Sequence, residues 1–332
     1  MKKILLILTC ILLTGCSIFN NDNIKENEVY TTTYPNQYLI TYLYGEYVNV
    51  NSIYPIGIDF LEYDLSEKKL NDYAKSYMYI FNSQDIDRDY AVKMININQD
   101  LKIIDVALNI KQIEEVEELW LNPYNYLMMA KNTKESLSEY IIDPYRVQKI
   151  QSKYETLEYE LSKLDANYKK SIENAKYKTI VTDKDLFKYL EKYGLTVISL
   201  EEDIKTITAK EEDTLSSISK KYNVSVSDIM TYNNKKEETL SVGETIKVPI
   251  KTIDNSNLEK VKKLINEKEI SYIYSDSDKT NNTVNQLIEE NQLEKIKINT
   301  MYSVDGGVTN SNENYLTIMN DNLDLYLKEL NK

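Results

Sequence analysis

Histidine, the commonest metal ligand and the usual general base near neutral pH, is absent from all 332 residues. Its absence removes Ser-His-Asp triads, Cys-His pairs and imidazole-ligated zinc in one step. Cys10 and Cys16 are the whole thiol inventory, and the 7 glycines include no run able to cradle a phosphate. What remains for chemistry is oxygen, with 53 Asp and Glu against 40 Lys and Arg. Carboxylate and amide oxygens suit hard cations such as manganese, calcium or magnesium better than zinc. Two carboxylates set across a bound sugar would make a glycosidase, and the sequence leaves that arrangement open. No other catalytic constellation is present, so a binding protein rather than an enzyme is expected.

The thiol of Cys16 has a specific context. Lys2 and Lys3 precede an apolar run from Ile4 to Leu13, too short to span a bilayer but of signal-peptide length. The run ends in Leu13-Thr14-Gly15-Cys16, which resembles the lipobox of bacterial lipoprotein signals. That resemblance implies cleavage before Cys16 and a diacylglyceryl group on its sulfur, two acyl chains being enough for a stable membrane anchor. The mature chain then keeps one cysteine, already lipidated, so disulfides are excluded. Losing Lys2 and Lys3 takes the basic count from 40 to 38 against 53 acids, and the net charge from −13 to −15. A chain this acidic repels phosphate backbones, so no nucleic-acid partner is expected. Residues 17–28 are polar and aperiodic, as a flexible tether would be.

Beyond the tether, short β-rich runs alternate with helical patterns, which predicts an α/β fold with parallel sheets. Strands are expected over Val29–Thr33, Tyr47–Ile53, Tyr77–Phe81 and Lys102–Val106. Helices are expected from Pro35 to near Gly45 and over Asp87–Ile97. These elements make an N-terminal lobe over residues 29–143. Val147, Ile150, Tyr154, Leu157, Leu161, Leu164, Tyr168 and Ile172 then recur every three or four residues, the stripe of one helix face. Asp143 and Pro144 are its start signals. A helix over 144–175 would be a rod of roughly 48 Å, long enough to join two lobes. A coiled-coil seam with a partner chain is the alternative use of that stripe. The C-terminal lobe occupies 176–203 and 252–332, with strands at Thr179–Val181, Thr196–Leu200, Ser271–Tyr274 and Lys295–Ile298. Helices are expected at Lys184–Tyr193, Leu258–Glu267, Thr283–Glu290 and Asn314–Leu330.

Residues 204–251 interrupt that alternation. A short strand, two short helices and a closing strand at Thr245–Val248 predict a βααβ unit. Asp213-Thr214-Leu215, Ile218, Tyr222, Val224, Asn233-Asn234, Val242-Gly243 and Ile246-Lys247-Val248-Pro249 make this stretch similar to a LysM domain. The resemblance implies binding of peptidoglycan and other N-acetylglucosamine glycans. The groove residues carried over are Asp213, Thr214 and Leu215 on one side, and Asn233, Asn234 and the run to Leu240 on the other. Glu212 stands where the family usually has glycine. A LysM-shaped spacer that binds nothing is the bland alternative.

The frame around the insert resembles the substrate-binding lipoproteins of zinc and manganese ABC transporters. The residues that carry this are Val29 to Pro35, Tyr54 to Asp59, Leu119-Trp120-Leu121-Asn122-Pro123, Tyr193-Gly194-Leu195 and Tyr315 to Leu323. The resemblance implies a two-lobed solute-binding-protein fold with parallel sheets joined by one long helix, and an ABC permease as partner. It also places the metal ligands. The three histidine positions fall on Leu61, Glu118 and Asp183, and the fourth near Asn299. Leu61 has no lone pair, so at most an oxygen-held divalent cation is expected, with metal capture altered or lost. A wall-binding scaffold with no transport role is the competing reading.

Overall fold

The computed structural model describes residues 25–55, 63–84, 87–111, 118–303, 306–307 and 312–332. Cys16, the signal segment and Leu61 lie outside them. Two four-stranded sheets form, each wholly parallel, as crossover helices require. The N-terminal sheet runs β2-β1-β3-β4, from β1 (Lys25–Thr31), β2 (Asn49–Ser52), β3 (Ser76–Phe81) and β4 (Lys102–Asp105). The C-terminal sheet runs β10-β9-β5-β6, from β5 (Thr179–Thr182), β6 (Thr196–Ser199), β9 (Tyr272–Ser275) and β10 (Glu294–Lys297). Central strands such as β3, SYMYIF, are apolar on both faces because helices cover both. The edge strand β10 reads EKIK, whose charges discourage pairing with a stranger. β1 begins inside the stretch expected as tether, because Lys25 already pairs with Ser76.

The helices of the N-terminal lobe are α1 (Tyr34–Tyr44), α2 (Glu67–Ala74), α3 (Asp87–Ile97) and α4 (Pro123–Tyr140). α2 and α4 escape the pattern reading; α4 buries Tyr126, Met129, Ala130, Thr133 and Leu137, a stripe diluted by a threonine. α5 (Pro144–Asn174) is the expected rod, its N-terminus capped by the Asp143 carboxylate on the Tyr145 amide. Seven of its eight stripe residues, Ile150 to Ile172, are buried; Val147 is partly so. Helices of the chain itself cover the stripe: α1 and α4 from one lobe, and α10 (Tyr315–Leu330) from the other. No partner chain is needed to hide it. The helix expected at Lys184–Tyr193 forms over Asp185–Tyr193 as a 3₁₀ helix, and Gly194, at φ +93°, closes it in the left-handed region.

Residues 203–251 form a separate small layer. β7 (Asp203–Thr208) pairs antiparallel with β8 (Thr245–Lys251), and α6 (Leu215–Tyr222) and α7 (Val226–Tyr232) lie between them in sequence. Leu215, Ile218, Val224, Ile229, Ile246 and Val248 make its own core, distinct from those of the lobes. α8 (Asn255–Asn266) and α9 (Asn282–Asn291) complete the C-terminal lobe.

A buried aromatic seam joins the lobes. The Trp120 indole N–H donates to the Thr300 carbonyl at 2.8 Å, and the Tyr315 hydroxyl donates to the Trp120 carbonyl at 2.6 Å. Tyr315 stacks on Tyr126, whose hydroxyl donates to the Pro35 carbonyl at 2.8 Å. Trp120 is fully buried. Trp120→Phe should leave the Thr300 carbonyl without its donor and lower stability by about 1–3 kcal/mol. The measurement is the urea midpoint at constant m-value; an unmoved midpoint would mean that the seam contributes nothing net.

Candidate functional site

In open parallel sheets, ligands sit outside the carboxyl ends of the strands. In the C-terminal lobe those ends place Asp183 after β5, Asp276 after β9 and Asn299 beyond β10. Asp183 continues the ladder, its amide donating to the Tyr274 carbonyl at 3.0 Å. Its side chain is 4% exposed and accepts from the Ser275 hydroxyl at 2.6 Å through Oδ2; Oδ1 is buried with no hydrogen-bond partner. Burial pushes the Asp183 carboxyl up to about 6, and the neighbouring Asp276 carboxylate adds to this; the Ser275 hydroxyl and Lys184 pull the other way.

Asp276 has Oδ2 at 3.0 Å from the Lys184 ammonium, and its Oδ1 is also buried without a partner. The half-buried Lys184 is opposed by desolvation, yet its affinity for the proton is raised. Asp276 contributes most, followed by Asp183 and Glu118. The three acids thus act on one ammonium. Among the described residues, no three His, Cys, Asp or Glu side chains stand close enough to hold one metal ion.

The expected oxygen donors therefore meet different fates. Asp183 is central, and Glu118, just ahead of the turn Leu119–Leu121, adds its charge from the other lobe. Asn299 has both ends of its amide engaged: Nδ2 donates to the Gly306 carbonyl at 3.0 Å and Oδ1 accepts from the Met301 amide at 2.9 Å. It shapes the loop beyond β10, and its Oδ1 keeps one lone pair beyond the bond to Met301. Asp276 and Lys184 were not anticipated. An acid two residues beyond a strand expected at Ser271–Tyr274 was the available signal for Asp276. Lys184 had none, because a lysine beside an acid reads as solvated surface.

Two cavities flank this trio. One, of about 460 Å³, reaches from Asp276 along Asn299, Tyr302 and Gly307. The other, of about 360 Å³, runs from Asp183 and Lys184 to Thr206, Tyr232 and Lys247 of the insert. The insert is fastened beside it: Lys251 of β8 pairs with Asp185 at 2.6 Å and with Glu201.

The insert's candidate groove residues divide between fold and surface. The Asp213 carboxylate accepts from the Lys210 amide at 2.7 Å, and Thr214 caps α6 in a reciprocal box with Ser217. Leu215 is core. The Asn233 amide ties α7 to β8, donating to the Ile229 and Lys247 carbonyls and accepting from the Lys247 amide. Asn234 is exposed in the left-handed region at φ 53°, and Leu240 is half-buried against the insert's core. Glu212 sits in a turn without a positive φ, so glycine is not required there.

Sequence and structure comparisons point one way. The family model described as "Zinc-uptake complex component A periplasmic" matches residues 29–255. The zinc-binding protein AdcA of Streptococcus pyogenes serotype M3 is 32% identical over 109 residues. That match covers 32% of this chain and 21% of the relative, so the chain aligns with only about a fifth of that protein's length. The Zn(II)-bound ZnuA-like domain of Streptococcus pneumoniae AdcA superposes with a TM-score of 0.66 at 17% identity, over 92% of this chain and 100% of the domain. The metal-dependent lipoprotein YcdH of Bacillus subtilis gives 0.66 at 16% identity, over 92% and 99%. At these identities the structures speak for the fold: two lobes of parallel sheet on a long helix. No helix among the described residues is long and apolar enough to cross a membrane.

The elevated Asp183 carboxyl has a sign that can be checked. Its folded-state value, about 6, exceeds the unfolded one, about 3.9. The folded state therefore holds the proton more tightly, and this group stabilises the fold as pH falls from about 6 toward 4. Above pH 6 the buried charge costs stability. Thermal melts between pH 4.5 and 7.5 should show the wild type gaining on Asp183→Asn as pH falls; parallel curves would contradict the assignment.

Proposed function

The chain belongs to the zinc-uptake complex component A family, and from that premise we propose an extracytoplasmic receptor whose cleft meets cations with oxygen rather than imidazole. The observation that carries this is the pair Asp183 and Asp276, at the carboxyl ends of two neighbouring parallel strands, each with one buried oxygen left unpartnered. Carboxylate oxygens without imidazole or thiolate favour hard cations and hold zinc weakly. AdcA is a zinc-binding protein; for this chain the cargo class is a divalent cation, captured loosely. An ABC permease is the partner to which such a receptor delivers, and no catalytic role is assigned to it.

Two further parts complete the reading. The lipobox-like Leu13-Thr14-Gly15-Cys16 supports a lipid anchor on Cys16 that faces the receptor toward the wall. The βααβ insert, with its own core and its likeness to LysM, supports attachment to peptidoglycan through N-acetylglucosamine. Its exposed loops around Thr214 and Asn234 are the surface for that contact. A wall-bound scaffold without transport is the second reading, favoured by the Lys184–Asp276 ion pair inside the cleft.

Three measurements test these parts. Cys16→Ala should leave the membrane fraction and take up no labelled palmitate; a labelled, membrane-bound variant would sink the anchor. For the wall, β7 and β8 leave the lobe side by side, Asp203 opposite Lys251, so a short Gly-Ser link can replace residues 204–251. The linked chain should lose retention on purified peptidoglycan, and equal retention of both chains counts against the glycan role. Calorimetric titration of the wild type with zinc should give a dissociation constant no tighter than about micromolar, near −8 kcal/mol; nanomolar binding would overturn the oxygen-donor cleft.

A further inference from the structure

We propose that the cleft carries its own cation: the Lys184 ammonium takes the place in which a receptor of this family would hold its metal cargo. The inference rests on reading the cleft as a cation site, and it adds the residue that sets its specificity. Lys184 follows Asp183 at the end of β5, so its backbone is fixed by the parallel ladder and by the Thr182 hydroxyl, which donates to the Lys184 carbonyl at 2.9 Å. From there the side chain reaches across to the next strand and meets Asp276 at 3.0 Å. Asp183 and Glu118 lend further negative potential, and Glu118 comes from the opposite lobe.

The acids of the cleft thus direct their negative potential at a monovalent, covalently tethered ion. A divalent cation entering the trio would have to displace an ammonium that cannot diffuse away, and would meet its repulsion at close range. The two acids confirm the mismatch by what they leave unused. Asp183 Oδ1 and Asp276 Oδ1 are both buried without a hydrogen-bond partner, and the contact that Lys184 makes in the trio is to Asp276 Oδ2. Where nothing positive stood, those oxygens would be ligands. The absence of histidine and the presence of Lys184 then act in the same direction, each weakening capture of a divalent cation.

The closing experiment compares the full chain with Lys184→Gln, which keeps a hydrogen bond to Asp276 but not the charge, and with Lys184→Ala. Each is titrated with manganese chloride by calorimetry and by thermal melting. Wild type should show weak binding and no manganese-dependent rise in melting temperature. Both variants should bind at least about tenfold tighter and be stabilised by the ion, as mass action requires of a ligand specific to the folded state. Adding Asp276→Asn to Lys184→Gln should remove the gain. If variants and wild type titrate alike, Lys184 is not the resident cation. Tight manganese binding by the wild type also overturns the proposal, while leaving the receptor reading in place. A gain that survives Asp276→Asn puts the metal elsewhere and overturns both.

Discussion

The Trp120 indole, buried between the lobes and hydrogen-bonded to the Thr300 carbonyl, ties the two lobes to each other. Trp120 belongs to the N-terminal lobe and Thr300 to the loop beyond β10 of the other. Tyr315, at the first turn of the last helix, closes the same knot from the C-terminal end of the chain. An indole N–H has one donor and no acceptor, so a buried tryptophan accepts only a geometry that supplies a carbonyl at the right point. The lobes therefore meet in one register. The loop organised by Asn299 is held by that register, and so is the distance across which Glu118 acts on Lys184.

Beneath the knot runs the rod α5, which solves a different problem. A single helix touching both lobes makes their cores continuous: the cluster that contains Val29 and Leu39 also contains Ile180, Tyr274 and Leu330. Lobes sharing one core cannot hinge freely without exposing apolar surface, at about 25 cal/mol for each Å². Such a body holds a site in a narrow range of widths. That suits a small spherical ion, or a tethered ammonium of similar size, better than a bulky solute.

Local signals made much of the frame legible. Asp143-Pro144 and the three-four stripe located α5 almost to the residue, and Asp87–Ile97 was found at both ends, because periodicity and capping are properties of a few neighbours. The helix Pro123–Tyr140 was missed because its face is completed by a threonine and by contacts from α5, which no window of sequence contains. The 3₁₀ form of Asp185–Tyr193 was missed for a similar reason, since its apolar positions look the same for either helix. Among the candidate residues, Asp183 was named through a resemblance. Asp276 and Lys184 needed knowledge of which strand ends lie side by side, and Asn299 needed knowledge of what its amide already holds. Pairings between residues 92 apart in sequence are a product of topology, and composition carries no trace of them.

The root of the insert has a mechanical consequence. β7 and β8 enter and leave the lobe as adjacent antiparallel strands, with Asp203 opposite Lys251. Tension applied at the far end of the insert is shared between two covalent connections, running along both strands in the same direction. The ladder between them is neither sheared nor peeled, since its partners move together. The first contacts to feel the pull are the Lys251 pairs with Asp185 and Glu201, and Asp185 lies two residues beyond Asp183. A taut connection at this point would tug on the strand end that carries the charged trio, and a slack one would leave it at rest.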